Sequence, residues 1–161
     1  MSELDPRAAS DSTTILCVVM EVQHTNNAGF VHGGSIMRLA DSAAGIAAAR
    51  HSRRRVVTAA MDDMVFLSPV NMGDLLTVKA TVNDAYRTSM EVGVRIEVET
   101  IPSGEIRHVS SAHLVFVALD EAGKPTPVPG VLAETEDEVT RQSHARLRRE
   151  QRLARKADLD S

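Results

Sequence analysis

The apolar residues in the middle of the chain follow a period of two. In residues 76–83, and again in residues 90–99, every second side chain is apolar and most of those between are polar. This alternation predicts two antiparallel strands with one covered face and one uncovered face, and Glu91 falls on the uncovered face. Further strands are predicted in three apolar or β-branched runs, at residues 13–22, 56–66 and 109–119, with a hairpin turn at 102–104.

A long helix is predicted between the first of these strands and the second. Residues 33–51 carry apolar side chains at the i, i+3, i+4 and i+7 positions of one helix face, and most of them are Ala. Further apolar residues widen that face, so the helix is expected to be covered on almost all sides. One strand, one helix and then four strands predict an α+β fold, in which a long antiparallel sheet of about five strands wraps around one central helix. Strand edges and apolar residues on the outer face of the sheet favour a dimer.

The composition changes after the last predicted strand. Pro125, Pro127 and Pro129 interrupt the chain, and residues 134–156 are highly charged, with acidic residues first and basic residues last. That order complements a helix dipole and predicts a C-terminal helix, which is either simply solvated or part of a binding site. The predicted organisation is a flexible N-terminus at 1–12, a helix-and-sheet domain at 13–120, and a proline-containing linker with a charged C-terminal helix at 121–161.

The composition argues against several classes of protein. A chain of 161 residues predicts one domain, and a net charge of −4 with no Trp favours neither attraction to nucleic acid nor base stacking. No apolar run is long enough to cross a bilayer and the first residues lack an apolar signal, so a cytoplasmic location without membrane contact is expected. The single cysteine, Cys17, lies in an apolar run and is expected to be a buried, inert thiol. The histidines show no metal-ligand spacing, so no metal or other cofactor is expected.

The start of the predicted helix carries the candidate chemistry. Gly33 and Gly34 open the helix, and their backbone N–H groups, at the positive end of the dipole, suit an anion or an oxygen that becomes negative in a transition state. Asp41 lies about two turns further on, among apolar residues, where a carboxylate costs several kcal/mol unless it is paired or functional. Pairing with Arg38, exposure on a narrow polar stripe and a catalytic role are the open alternatives.

Residues 26–41 combine glycine and polar positions at a specific spacing. The pattern is Asn26-x-x-Gly29-x-x-His32-Gly33-Gly34, followed seven residues later by Asp41. It resembles the active-site signature of hotdog-fold acyl-CoA thioesterases. Residues 57–66, 88–92, 128–130 and 134–138 are similar to the cytosolic acyl-CoA hydrolase branch of that family, so the resemblance covers most of the chain, from about residue 13 to residue 152.

The resemblance implies a hotdog fold and a division of labour among the site residues. Asp41 is expected to act as general base on a water, or as nucleophile on the thioester carbonyl of a fatty acyl-CoA. Asn26 is expected to orient that water or the carboxylate, and the backbone N–H of Gly33, with Gly34, to hold the oxyanion. In such dimers the aspartate helix of one subunit faces the asparagine loop of the other, so a homodimer, or a hexamer formed as a trimer of dimers, is expected to contain equivalent composite sites.

The resemblance also suggests a groove for CoA, and other activities stay open. His32 is either a catalytic base or a loop hydrogen-bonding residue. A hotdog dehydratase or hydratase and a non-enzymatic acyl-CoA-binding protein are the alternative functions. The residues expected to contact CoA are Thr58, Ala59, Ala60, Arg87, Thr88, Ser89 and, in the charged C-terminal helix, Arg148.

Overall fold

A computed structural model describes residues 4–161, and its centre is one antiparallel sheet of five strands. From one edge to the other, its strands are Thr14–Val19, Leu75–Ala85, Ser89–Thr100, Glu105–Leu119 and Arg55–Met61. The predicted α+β hotdog fold, with a sheet around a central helix and a further C-terminal helix, is confirmed. The elements are β1 (Arg7–Ala8), β2 (Thr14–Val19), α1 (Gly33–Ser52), β3 (Arg55–Met61), β4 (Leu75–Ala85), β5 (Ser89–Thr100), β6 (Glu105–Leu119), β7 (Val131–Leu132) and α2 (Glu136–Leu159).

The predicted elements are present, and the differences lie at their ends. β2 ends at Val19, before the predicted residue 22, because Val22–His24 form a 3-10 turn. β3 ends at Met61, five residues before the predicted end at residue 66. β6 begins at Glu105, earlier than predicted, because the hairpin turn after β5 leads directly into pairing between the two strands.

The core lies between α1 and the inner face of the sheet. Small side chains on one side of α1, such as Ala40, Ala43 and Ala47, are fully buried. They let the helix backbone approach β4 closely, where Leu76 and Val78 are also fully buried. Alternating residues of β4 and β5 point into this core, as their period of two predicts.

One stripe of α1 is open in the single chain, against the expectation of nearly complete cover. Met37 is 39% exposed and Ile46 is 40% exposed. Gly34 and Ser42 lie on the same stripe and are exposed as well. Periodicity overestimated the cover because the sheet contacts only one side of the helix.

From Arg7 onwards the N-terminal segment contacts the rest of the chain, in the region where the sequence predicted a flexible N-terminus. β1 pairs with β7 in parallel, and the hydroxyl of the buried Ser12 accepts a hydrogen bond from the N–H of Val82. A polar composition did not reveal these contacts because their partners lie far along the chain. The part of the predicted flexible segment at residues 1–3 lies outside the described residues.

The outer face of the sheet carries exposed apolar side chains, as expected. They include Ile15 and Val19 of the edge strand β2, Val57 of β3 and Ile106 of β6. Cys17 lies between Ile15 and Val19 and is exposed, with its Sγ 3.5 Å from the hydroxyl of Thr77, so the prediction of a buried thiol is wrong. The apolar run around Cys17 belongs to an edge strand whose alternate side chains leave the core. No helix in residues 4–161 is long and apolar enough to span a membrane.

The helix α2 begins with a capping box and packs on the outer face. Thr135 and Glu138 exchange side-chain to backbone hydrogen bonds, and acidic residues fill the first turn. Glu91, 0% exposed, lies beneath the helix and accepts hydrogen bonds from Arg148 at 2.7 Å and from Arg152 at 2.9 Å. The charged helix is therefore docked by ion pairs, and a merely solvated helix is excluded.

The carboxylate of Glu91 stays charged although it is buried. Burial alone would raise the pKa of Glu91, but the hydrogen bonds from Arg148, Asn83 and Arg152 outweigh it and hold this pKa below its usual range. Arg152 also binds Asp62, just beyond the end of β3, at 2.7 Å. The network thus ties α2 to β5 and to the end of β3.

Candidate active site

Asp41 lies on the open stripe of α1 and is half-buried. Its Oδ1 accepts a hydrogen bond of 2.6 Å from the hydroxyl of Thr58 on β3. It forms no ion pair with Arg38 within residues 4–161, so that alternative is not supported. One oriented hydrogen bond fixes the carboxylate and leaves most of its acceptor capacity free.

A β-bulge brings Thr58 to the carboxylate. Thr58 pairs with Phe116 and Ala60 pairs with Val115, so Ala59 is an extra residue in β3. Because of this bulge, Thr58 faces α1 while Ala60 faces the opposite side of the sheet, towards α2. The sequence interpretation placed Thr58 in the CoA groove and missed its contact with Asp41.

The first turn of α1 leaves backbone donors free. The N–H groups of Ser35 and Ile36 bond to the carbonyl of His32, whereas those of Gly33 and Gly34 have no acceptor within residues 4–161. A Cβ at Gly33 would lie 3.3 Å from the ring of Phe66, while Gly34 faces open space. Two unpaired N–H groups at a helix N-terminus can stabilise an oxygen that becomes negative.

The side chain of Asn26 organises the loop before the helix. Its Oδ1 accepts from the N–H of Ala28 at 2.9 Å and from that of Phe30 at 3.2 Å. Its side-chain NH2 makes no hydrogen bond within the described part of the chain and can therefore donate to another group. The side chain of His32 is exposed and has no hydrogen bond there either, so neither role considered for His32 gains support.

The residues expected to contact CoA lie in different places. Ala60 and Ser89 share the wall of a cavity of about 430 Å³ beneath the C-terminal half of α2. Arg87 and Thr88 lie outside it, in the turn between β4 and β5. Arg148 is held on the buried Glu91. This geometry favours a structural role for Arg148 over the predicted contact with CoA, because its guanidinium is committed to a carboxylate.

Signals for the missed contacts are weak in the sequence. Thr58 lies 17 positions from Asp41, and a bulge decides which way it points. Glu91 and Arg148 are 57 positions apart, so strand alternation alone could not reveal that a helix covers Glu91.

A sequence model of the thioesterase superfamily matches residues 28–105. An uncharacterized acyl-CoA thioester hydrolase of Bacillus subtilis is 42% identical over 132 residues, which are 82% of this chain and 77% of that protein. The cytosolic acyl coenzyme A thioester hydrolase of Rattus norvegicus is 34% identical over 139 residues, covering 85% of this chain and 36% of that protein.

Solved structures agree with these relatives. An apo-hexameric acyl-CoA thioesterase matches with a TM-score of 0.92 at 35% identity, covering 96% of this chain and 99% of that chain. An acyl-CoA hydrolase of Staphylococcus aureus in complex with butyryl coenzyme A and coenzyme A matches with a TM-score of 0.89 at 35% identity. The match covers 96% of this chain and 94% of that chain. Variants of the latter, with an asparagine, an aspartate or a threonine replaced by alanine, match at 0.92, 0.90 and 0.88.

Proposed function

The chain belongs to the thioesterase superfamily, and on that premise we propose that it hydrolyses fatty acyl-CoA to CoA and a free fatty acid. The observation that carries the proposal is the carboxylate of Asp41, held at 2.6 Å by the Thr58 hydroxyl on the open stripe of α1. Relatives named as acyl-CoA thioester hydrolases, and a structural neighbour with CoA bound, support this substrate class.

Asp41 acts on the thioester in one of two ways. As a general base it takes a proton from water, the hydroxide adds to the thioester carbonyl, the C–S bond breaks and the thiolate leaves as CoA. As a nucleophile it adds to the carbonyl itself, the C–S bond breaks as the thiolate leaves as CoA, and water then hydrolyses the resulting anhydride. In both routes Thr58 acts as a positioning residue, since it touches Asp41 and fixes one of its oxygens.

The oxyanion donors of one subunit act together with the Asp41 of a partner subunit. Gly34 and Asp41 are seven residues apart on one helix, or about 10 Å along its axis at 1.5 Å per residue. A base and an oxyanion donor must both lie within about 3 Å of the reacting group. One chain therefore cannot readily provide both, whereas a second α1 packed on the open stripe can bring its own N-terminus to Asp41.

Asn26 belongs to the same half of the composite site as Gly33. Its free side-chain NH2 donates to the attacking water or to the partner's Asp41, while its Oδ1 holds the loop in place. The assembly is a homodimer or a trimer of such dimers, and the hexameric neighbour supports this range. The asparagine, aspartate and threonine varied in the Staphylococcus aureus enzyme are of the same types as Asn26, Asp41 and Thr58, which also supports the assignment.

Two further parts of the proposal concern the pantetheine arm and the location. The extra residue of the bulge, Ala59, offers backbone groups outside the ladder to pantetheine amides, while Arg87 and Thr88 stay predicted contacts. A cytoplasmic location is supported by relatives named as cytosolic.

Thiol release from a series of acyl-CoA substrates, from acetyl to palmitoyl, tests the function. We expect catalytic release of CoA with at least one chain length, and loss of that release in the Asp41→Asn variant. Hydration of an enoyl-CoA without release of CoA, or tight binding of acyl-CoA without turnover, would replace the proposal with one of the alternative activities.

A further inference from the structure

The segment between β3 and β4, residues 62–74, places one aromatic ring against the first residue of α1. The Cε2 and Cζ atoms of Phe66 both lie 3.3 Å from the position that a Cβ would take at Gly33. That distance is shorter than is usual for packed side chains, so a larger residue at this position would have to displace the ring. Phe66 is 41% exposed, and its ring therefore covers Gly33 with one part only.

Phe66 is held by the sheet and does not depend on the helix for its place. The carbonyl of Val65 accepts a hydrogen bond of 2.8 Å from the hydroxyl of Ser110 on β6. On the other side of the ring, the N–H of Leu67 donates to the carbonyl of Val109 at 2.8 Å. The backbone is thus fixed immediately before and after Phe66, which makes the ring a firm wall for the first turn of α1.

The same segment supports the loop that leads into α1. The N–H of Val31 donates to the carbonyl of Val70 at 2.8 Å, and Phe30 pairs with Asn71 in an isolated bridge. The N–H of Phe30 in turn donates to the Oδ1 of Asn26. One frame, anchored on β6, therefore supports both the asparagine loop and the glycine turn.

Closure of the first turn sets the direction of the Gly33 N–H. This N–H shares a peptide unit with the carbonyl of His32, which accepts from the N–H groups of Ser35 at 3.0 Å and Ile36 at 3.3 Å. A closed turn therefore fixes the whole peptide unit, including a donor that has no acceptor of its own within residues 4–161. Donors that are fixed in advance in a water-excluded site stabilise a developing negative charge best.

We propose that Phe66 is a positioning residue for thioester hydrolysis. Its ring holds the first turn of α1 closed and screens one side of Gly33 from water, so that the Gly33 N–H is directed at the thioester oxygen as that oxygen becomes negative. The inference rests on the proposed function and adds a side chain to a set of donors that consists of backbone groups. It also explains why the two glycines differ, since Gly33 admits the ring whereas Gly34 faces open space.

A double-mutant cycle tests the contact between the ring and the turn. Phe66→Leu removes the two ring atoms nearest Gly33, Gly33→Ala places a Cβ against the ring, and a third variant combines both changes. The matched control is Leu67→Ala, an exposed apolar residue of the same segment with no atom within 4 Å of the Cβ position at Gly33. For each protein we would measure kcat and KM for one acyl-CoA, the pH profile of kcat, and Tm. Hydrogen–deuterium exchange of peptides that contain Ser35 and Ile36 reports closure of the turn.

We expect Phe66→Leu to lower kcat by about tenfold with KM within about twofold, a part of the about 10²–10³-fold lost when an oxyanion donor is removed. Gly33→Ala should also lower kcat by about tenfold, because its Cβ displaces the ring. The combined variant should lose about tenfold in total and not about a hundredfold, since leucine leaves room for the Cβ. Exchange at Ser35 and Ile36 becomes faster in Phe66→Leu, whereas Leu67→Ala keeps wild-type exchange and kcat within about twofold.

Losses of kcat that multiply in the combined variant, an equal loss in Leu67→Ala, or an unchanged kcat in Phe66→Leu would each overturn the proposal. A shifted apparent pKa of kcat would also overturn it, because the effect would then lie on the base and not on the donors. The same holds for a lower Tm with faster exchange throughout the chain, which would mean general destabilisation.

Hydrogen exchange separates this inference from the proposed function. If the wild type hydrolyses no thioester but Phe66→Leu speeds exchange selectively at Ser35 and Ile36, the proposed function fails and the support of the turn by the ring stands. If hydrolysis and exchange are both normal in Phe66→Leu, the positioning role of Phe66 fails alone.

Discussion

Two carboxylates on opposite sides of the sheet show how the number of hydrogen-bond donors around a carboxylate distinguishes a structural group from a reactive one. Glu91 is fully buried and accepts hydrogen bonds from Arg148, Arg152 and Asn83, so its oxygens are saturated. Asp41 is half-buried and, within residues 4–161, accepts a single hydrogen bond, from Thr58. The saturated carboxylate docks a helix, whereas the sparsely bonded one is available to water or substrate.

The largest expected effect is on the Asp41 side. Replacing Asp41 with Asn removes the base or nucleophile while keeping its shape, so kcat should fall by about 10³-fold or more. The unfolding free energy should stay the same or rise slightly, because a half-buried charge is removed. Thiol release and urea unfolding check both parts, and undiminished turnover would show that Asp41 is not the reactive group.

Glu91→Gln is the opposite case, in which stability changes and chemistry does not. Neutralising one member of a buried ion-pair network should lower the unfolding free energy by about 3–5 kcal/mol, while kcat stays within about twofold. The matched control is Glu97→Gln on the same face of β5, where the partly exposed pairs with Lys79 and Arg95 contribute about 1 kcal/mol or less. A large loss of kcat in Glu91→Gln, at unchanged stability, would contradict the comparison.

The comparison of the wild type with Glu91→Gln also predicts how stability depends on pH in acid. The pKa of Glu91 is lowered in the folded protein, so its contribution to stability is complete above the unfolded pKa of about 4.3 and is lost as the pH falls through the folded value. Urea unfolding at several pH values should therefore show the difference between wild type and Glu91→Gln shrinking below about pH 4. A difference that is constant in acid would mean that charge is not what stabilises α2.

Thr58 tests the comparison further because its hydroxyl donates the one hydrogen bond that Asp41 accepts among the described residues. Thr58→Val removes the donor at nearly constant volume, and kcat should fall by about tenfold, in line with one hydrogen bond to a charged group. Thr58→Ser keeps the hydroxyl and should restore kcat to within about twofold. If Ser and Val behave alike at equal thermal stability, the hydroxyl does not position Asp41.

The smallest effect expected comes from His51, at the end of α1. His51 is buried, its Nε2 lies 2.8 Å from the carbonyl of Pro129, and its Nδ1 has no partner within residues 4–161. Burial lowers the pKa of His51, so its contribution to stability is complete above the unfolded pKa of about 6.5 and declines as the pH falls below it. We expect the Tm of the wild type to fall between pH 7.5 and 5.5, and the Tm of His51→Gln to fall less. Identical slopes of Tm against pH in the two proteins would exclude His51 as the cause.

Local patterns predicted most of the fold, and contacts between distant segments account for the errors. The α1 helix and the strands β4 and β5 follow periods that are set within a few turns or residues. The burial of Glu91 could not be predicted in the same way, because a helix 57 positions later covers it. In the site, the spacing of Asn26, Gly33 and Asp41 was visible in the sequence.

The residues around that site were harder to place. A single bulged residue, Ala59, decides that Thr58 meets Asp41 while Ala60 faces α2. For α2, a one-residue step along the helix separates the paired Arg148 from the exposed Arg149. Such choices depend on the rotation of one element against another, which composition and periodicity do not determine.

The central claim is a thioesterase site shared between subunits, and mixing two inactive variants tests it most directly. Asp41→Ala and Asn26→Ala are purified separately, dissociated, combined in equal amounts and allowed to reassemble. A mixed dimer then contains one site with both native residues, so random pairing should restore about a quarter of the wild-type thiol release. Recovery near that level is the predicted result, and a mixture that stays inactive although mixed dimers form would contradict the composite site.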